Sequence, residues 1–425
     1  MKTQPAALAL ALALLAGCPS NPTKIPTPVK ALTPKPTKPS TGAAPSPSGS
    51  REARPTLPPA SFPPVVVPSP PPSPQGVTVS TIAGKPKVAG FGDGAGASAM
   101  FERPQGIALG PDGNLYVADT GNHRIRKIDL HDPGFAVTTA VGNGVRPSKG
   151  GLTTGPAESV YLRQVAGLAF LPDGRLLIAD IDEKVVRVVK FDPAGSTCLT
   201  FAGSGEDGTV DGPAATATFG YPTSLATAAD GTAYVADSLY NRIRSISPAL
   251  EVKTVAGSGP PTAQKPGGPY DQDGPADKAI FSGPCGVAVA PDGTIYVADS
   301  GNSHIRRIKG GQVSTVAGGV EGYADGFWRN AQFTAPLDIK LDLEGNVLVP
   351  DGYNHRIRRV TPLGDVVTLA GSGTFKDPTL PGDWVDGPAA TARFDLPNAL
   401  VVGPDGAIYV ADQRNHCIRK ITVPR

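Results

Sequence analysis

From residue 77 to the end of the chain, short apolar, β-rich runs are separated by turn residues, and the arrangement keeps returning. In its first occurrence Gly106-Ile-Ala-Leu109 precedes the turn Pro111-Asp112-Gly113, Asn114-Leu-Tyr-Val-Ala-Asp119 follows, and after Thr-Gly-Asn a third run extends from His123 to Leu130. Such runs, joined by tight turns, make antiparallel hairpins. The Asp-Gly turn recurs as Asp173-Gly174, Asp230-Gly231, Asp292-Gly293 and Asp405-Gly406, with Glu344-Gly345 as a variant. Glycine supplies the positive φ that a tight hairpin requires. A fourth run is read in Val252-Lys-Thr-Val-Ala-Gly257, Val313-Ser-Thr-Val-Ala-Gly318 and Val367-Thr-Leu-Ala-Gly371. Each unit is therefore a four-stranded meander, the blade of a β-propeller.

Six copies can be counted from the string Val117-Ala-Asp-Thr-Gly-Asn-His-Arg-Ile-Arg126. It returns as IADIDEKVVR from Ile178, VADSLYNRIR from Val235, VADSGNSHIR from Val297, VPDGYNHRIR from Val349 and VADQRNHCIR from Val410. An Asp precedes an Arg by seven residues in every copy: Asp119 and Arg126, Asp180 and Arg187, Asp237 and Arg244, Asp299 and Arg306, Asp351 and Arg358, Asp412 and Arg419. The aspartates recur every 52 to 62 residues, within or somewhat above the period of a propeller blade. The last copy stops after its third run, 418–423, while Val77-Thr-Val-Ser-Thr-Ile-Ala-Gly84 has the fourth-run pattern but precedes the first copy. Pairing of these two segments would close the ring and remove the exposed sheet edges. The expected fold is all-β, a six-bladed propeller over residues 76–425.

Composition divides the chain further. Of its 47 prolines, 19 lie between Pro19 and Pro74, where hydrophobic alternation is almost absent. That segment cannot bury enough apolar surface to offset its ordering entropy and reads as a disordered, partly polyproline linker over 18–75. At roughly 3.1 Å per residue it would reach on the order of 150 Å. Residues 1–75 carry seven Lys or Arg against the single Glu52, which leaves 32 basic against 36 acidic residues in the remainder. A mildly acidic body argues against nucleic acid as a partner. At the N-terminus Lys2 is followed by an apolar stretch, 6–15, too short to span a membrane and built like a secretion signal over 1–17.

Two resemblances sharpen this reading. Leu15-Ala-Gly-Cys18 resembles the lipobox of bacterial lipoproteins, which implies cleavage before Cys18 and lipid attachment there. Pro19 follows where an Asp would resemble an inner-membrane retention signal, so the expected location is the cell envelope, at the outer membrane, facing the periplasm or the exterior. The Val-Ala-Asp-Thr-Gly-Asn-His-Arg-Ile-Arg string is similar to the core of the NHL repeat family, most of whose members are six-bladed propellers. The likeness covers about residues 77–425 and departs in the second copy, where Ile181-Asp-Glu-Lys-Val185 replaces the Gly-Asn-His-Arg turn.

Function belongs with the loops. In a meander of this kind the loops leading into each first strand and the turns between second and third strands emerge on one face. The lead-in loops, 85–103, 142–164, 204–221, 258–283, 319–335 and 372–396, are long and variable. They hold Trp328, Trp384, Tyr270 and Tyr323, candidates for contacting a protein, peptide or glycan; the opposing reading folds these rings back over the core. His123, His355 and His416 share one repeat position on neighbouring blades and lie on the same face. Equivalent positions in successive blades are of order 10 Å apart, too far to share one zinc ion.

Asp93, Asp211, Asp273, Asp325 and Asp386, each before a Gly, recur in the lead-in loops and suit the cap of a short helix; Asp271-Gln-Asp273-Gly also admits calcium, though without the further carboxylates of an EF-hand loop. The Asp–Arg pairs read as structural, because an active site needs a charge in one place only. The Phe residues 101, 219, 281, 333 and 394, each three before a Pro, read as core plugs. Cys198, Cys285 and Cys417 fall at different repeat positions and read as buried thiols rather than a disulfide framework.

Some propellers resembling this one are amidating lyases or lactonases, which implies metal ligands converging on the central channel. The residues at the start of the first strands, Gln105, Ala166, Thr223, Cys285, Leu337 and Asn398, offer neither His nor carboxylate. No catalytic residue and no cofactor is therefore assigned. The favoured function is a non-catalytic binding or scaffold module; the alternatives are a metal-dependent lyase or hydrolase, with zinc or calcium, and a purely structural envelope protein.

Overall fold

Each copy of the repeat becomes a sheet because its apolar runs pair in register, with Val117 opposite Arg126 and Asp119 opposite Arg124 in the first blade and the same offsets in the others. The computed structural model describes residues 75–147, 153–259, 271–372 and 383–424. Cys18, the signal-like segment, the proline-rich stretch to Pro74 and Tyr270 lie outside the described residues. Six antiparallel sheets follow one another around a central axis. In the first blade the strands run from the axis outward as Pro104–Leu109, Leu115–Asp119, Arg124–Ile128 and Val137–Val141.

The sixth blade is closed as expected. Thr78–Ala83 pairs antiparallel with Cys417–Thr422 and supplies the missing outer strand. Around the axis the inner strands approach so closely that side chains must be small. A Cβ on Gly106 would lie 1.8 Å from the Ala166 carbonyl oxygen, and one on Gly286 would lie 2.7 Å from the Cα of Asp338.

The lead-in loops do more than connect blades. Each passes along the outer edge of the blade it is about to enter, where two residues add a short fifth strand: Gly155–Pro156, Gly212–Pro213, Gly274–Pro275, Gly326–Phe327 and Gly387–Pro388. In the first blade a single bridge, Gly94 to Val137, does the same. Every outer edge is thus covered, which removes the template for unwanted strand addition. The Pro-Ala segments that follow form single turns, not the short helices anticipated.

The Asp before each of these glycines does not cap a helix either. Its carboxylate binds the blade's arginine: Asp93 to Arg126, Asp211 to Arg244, Asp273 to Arg306, Asp325 to Arg358 and Asp386 to Arg419, at 2.5–2.8 Å. It also accepts the backbone N–H of a threonine on the outer strand, as from Thr139, Thr254, Thr315, Thr368 and Thr81 at 2.9–3.1 Å. From the other side the arginine meets the repeat aspartate at 2.7–3.5 Å, with both side chains fully buried. Below it lies the expected Phe plug, with Phe101, Phe219, Phe281, Phe333 and Phe394 placing ring centroids 5.0–5.2 Å from the guanidinium carbon. Cys198, Cys285 and Cys417 are buried and unbridged. Burial pushes the thiols of Cys198 and Cys285 up to about 11 and that of Cys417 up as well, which leaves them poor nucleophiles.

The second blade lacks two of these parts. Thr154 stands 33 residues before Arg187, where the others have Asp, and Leu162 takes the place of Phe. Arg187 turns accordingly: its Nε donates to Asp180 at 2.9 Å and its Nη1 to the Thr153 carbonyl at 2.8 Å, while its buried Nη2 has no hydrogen-bond partner among the described residues. Restoring the carboxylate with Thr154→Asp is expected to stabilise the protein by about 1–2 kcal/mol, read as a rise of a few degrees in Tm; an unchanged or lower Tm would refute this account of the arginine.

Candidate functional site

On the face that carries the lead-in loops, the chain goes from second to third strand through a single turn that ends on a residue in the left-handed region; in the first, fourth, fifth and sixth blades it reads Asp-x-x-Asn and is a 3-10 turn, whereas the second and third blades carry Glu183 and Tyr240 in place of the Asn. The left-handed residue is His123, Lys184, Asn241, Ser303, His355 or His416, with φ between 53° and 58°. Asparagine tolerates this conformation well, and histidine is also enriched there.

The side chains at this position reach the neighbouring blade. His355 Nδ1 accepts the Leu396 N–H at 3.1 Å, His416 Nδ1 accepts that of Arg103 at 3.0 Å, and Asn241 Oδ1 accepts that of Gly283 at 2.7 Å. The three histidines are therefore spread over three blade boundaries, each tying the turn of one blade to the segment entering the next. Burial, with Arg414 and Arg356 nearby, holds His355 down to about 4; burial and Arg103 also lower His416.

Of the three aromatic candidates among the described residues, Tyr323, 42% exposed, and the half-buried Trp384 each lie over an arginine. Tyr323 lies 3.8 Å from the Arg356 guanidinium and 5.0 Å from that of Arg358, and its hydroxyl shares a hydrogen bond with Thr368 at 3.1 Å. Trp384 donates from Nε1 to Thr81 Oγ1 at 2.9 Å and faces Arg419. Both rings stand two residues before a lead-in aspartate, as does Phe91 over Arg124 and Arg126. Trp328 sits elsewhere, on the outer rim beside Phe327, 46% exposed, with its Nε1 3.4 Å from the Thr315 carbonyl oxygen.

The two aspartates weighed for calcium face cations. Asp273 holds Arg306 as described, and Asp271 lies 3.0 Å from Arg306 Nη1 and 3.2 Å from His304 Nδ1. Asp271, Asp299 and His304 bring oxygen and nitrogen atoms within 4.8 Å of one another, but Arg306 Nη1 is 2.7 Å from Asp299 and lies against both carboxylates. A second cation there would meet that guanidinium at close range.

At the axis, Gln105, Ala166, Thr223, Cys285, Leu337 and Asn398 do line one narrow cavity of about 20 Å³. Bulges place several of them: the inner strand skips a residue at Gln105, Thr223, Cys285 and Asn398, which turns those side chains out of the sheet register. One carboxylate escaped the sequence reading. Asp338, one position deeper in the fifth blade, lines the same cavity, where other blades carry Gly or another small residue. Lys340 Nζ binds it at 2.8 and 3.0 Å, and Ser224 Oγ donates to it at 3.3 Å.

Gln105 also lines a larger cavity of about 180 Å³ between the first two blades, with Glu102, Arg103, Thr120, Gly121, His123, Arg146, Arg163 and Gln164. No apolar side chain contributes to it. Gln105 is 2% exposed, and neither atom of its amide has a hydrogen-bond partner among the described residues. Arg163 approaches Glu183 at 3.5 Å and Asp182 at 3.9 Å, while Arg146 binds Asp182 at 3.1 Å. Burial lowers the Arg103 guanidinium from its ordinary value, against the pull of Glu102.

Comparison with known proteins follows the repeat. The NHL repeat profile matches residues 101–128, 281–308 and 394–421, in the first, fourth and sixth blades. The chain is similar to Protein SUPPRESSOR OF QUENCHING 1, chloroplastic, of Arabidopsis thaliana, with 31% identity over 64% of this chain and 26% of that one. It is similar also to NHL repeat-containing protein 2 of Bos taurus, with 27% identity over 77% of this chain and 40% of that one. The chain thus spans about a quarter to two fifths of the length of these curated relatives. Among solved structures, auxiliary nutrient binding proteins of Bacteroides ovatus and Bacteroides thetaiotaomicron share the fold. Their TM-scores are 0.59 and 0.60 at 17% identity, over 82% and 81% of this chain and 77% and 76% of theirs.

The inter-blade histidines generate a pH test. His355 accepts through Nδ1 and so bonds as the neutral ring; with its folded pKa near 4 and an unfolded value of 6.5, its contribution is complete above 6.5 and is lost as pH falls toward 4. The loss amounts to roughly 3 kcal/mol. His355→Asn places at this turn the residue that the third blade already uses. The variant is expected to match the wild type near pH 7 and to lose less stability by pH 4.5 in chemical denaturation; an identical pH profile would overturn the assignment.

Proposed function

Because this chain is an NHL-repeat β-propeller, we propose that it is a binding module of the bacterial cell envelope, anchored through a lipid on Cys18 and held away from the membrane by its proline-rich linker. Its ligand enters from the lead-in-loop face, over the polar cavity between the first and second blades. The observation that carries this reading is Gln105, a buried amide without a partner, placed by a bulge at the cavity wall. A purely structural ring gains nothing from such a group, since an unsatisfied buried amide costs stability. Auxiliary nutrient binding proteins share the fold, so the fold is compatible with a binding role. The partner is a protein, peptide or glycan that offers the cavity a small polar group. The exposed rim at Trp328 is the competing contact surface.

Two experiments test these proposals. Metabolic labelling with a tritiated fatty acid is expected to mark the wild-type chain and not Cys18→Ser; label retained in the variant would remove the lipid anchor. Binding to arrays of envelope glycans and peptides is expected to fall about tenfold or more in Arg163→Ala, with Tm little changed, and to persist in Trp328→Ala. Loss confined to the Trp328 variant would move the site to the rim.

A further inference from the structure

The cavity between the first two blades presents donors and acceptors in equal measure, and this balance selects a class of ligand. Neither Gln105 Oε1, an acceptor, nor Gln105 Nε2, a donor, has a partner among the described residues. Arg163 Nε is a second buried donor without one. His123 adds a further ring nitrogen: its Nδ1 lies 2.6 Å from the Arg163 carbonyl oxygen, which can only accept, so Nδ1 carries the hydrogen, and in the neutral ring Nε2 is then an acceptor. A carboxylate, or a phosphate ester in its dianionic form, accepts but does not donate and would leave both acceptors unmet. An ammonium fails in the opposite way. Hydroxyl groups both donate and accept.

Charge points the same way. The guanidinium of Arg163 faces Glu183 and Asp182, that of Arg146 binds Asp182, and Arg103 lies beside Glu102. The wall is polar with its charges paired, so it gives an anion no large advantage over a neutral molecule. A peptide also carries donors and acceptors, but the cavity, lined by Glu, Arg, Gln, Thr, Gly and His alone, offers its apolar side chains no apolar contact. Its volume, about 180 Å³, is far above the roughly 10–15 Å³ that admits one water, so it has room for a small polar ligand.

We propose that the cavity at the boundary of the first and second blades binds one residue of a neutral saccharide, with Gln105, Arg163 and His123 reading its hydroxyl groups. This inference rests on the binding role proposed above and names its ligand class.

The test is ligand-observed NMR on the full-length chain with glucose, galactose, mannose and N-acetylglucosamine, against glucuronate, citrate and triglycine. At least one neutral sugar is expected to bind, with affinity reduced about tenfold or more in Gln105→Leu and in Arg163→Ala. Gln105→Leu removes an unsatisfied buried amide, so its Tm is expected to equal or exceed that of the wild type, which separates loss of binding from loss of fold. Binding of the acids or the peptide alone, sensitive to Arg163→Ala, would overturn the ligand class and leave the cavity as the binding site. Neutral-sugar binding indifferent to Gln105→Leu would also overturn the proposal. If no probe of any class binds, the inference and the binding role at this cavity both fail.

Discussion

Each blade is organised around one buried arginine. A guanidinium carries five N–H donors in a rigid plane and cannot shed its charge, so wherever it is buried the surrounding chain must bring acceptors to it. Here those acceptors come from two separate segments. Arg126 takes Asp119 from the second strand, Asp93 from the lead-in loop, and the carbonyl oxygens of Met100 and Gly92 from the same loop, while Phe101 covers one face. Removing one partner from such a buried set costs about 3–5 kcal/mol. The loop is therefore obliged to pass back along the outer strand before it enters the blade. That obligation covers the sheet edge and fixes on which face, and at what depth, the variable residues emerge.

The same constraint explains where three of the loop aromatics sit. In the first, fifth and sixth blades the residue two before the lead-in aspartate falls over the guanidinium, and Phe91, Tyr323 and Trp384 occupy that place as lids. Asp271 stands at the equivalent point in the fourth blade and meets Arg306 by charge instead of by a ring face. Trp328 is out of this register, five residues beyond the lid position held by Tyr323, and so remains on the rim. The distinction between a contact residue and a lid is one of spacing from the arginine, not of residue type.

The architecture was legible because six copies repeat every element that makes it, so turns, strands, the Asp–Arg pairs and the closing strand 77–84 reinforced one another. The role of the lead-in aspartates was also present in the sequence, as a constant spacing of 33 residues to the arginine from Asp93 to Arg126 through Asp386 to Arg419. That signal is easily missed, since the partners lie in different segments and the intervening loop suggests a helix cap. Asp338 was legible only as a charge where equivalent positions carry Gly, Ser or Ala. Gln105 gave no signal by itself: it is one of six unlike residues in a ring, and its importance comes from a bulge and from the absence of a partner, neither of which a sequence displays.

What distinguishes the cavity is that it lies beside the blade that departs most from the repeat. The second blade lacks the lead-in aspartate and the Phe plug and replaces the Gly-Asn-His-Arg turn with Ile181-Asp-Glu-Lys-Val185. Two residues of that replacement, Asp182 and Glu183, are the acids that pair Arg146 and Arg163 at the cavity wall. In a ring of repeats, the positions that hold every blade together are not free to vary, so a local polar site can be built only where the repeat is broken. The second blade gives up part of its arginine's shell, and the charges that arise in its turn reappear as the rim of the polar cavity. Local departure from the pattern and local chemistry coincide, as expected where a fold relaxes its own rules for function.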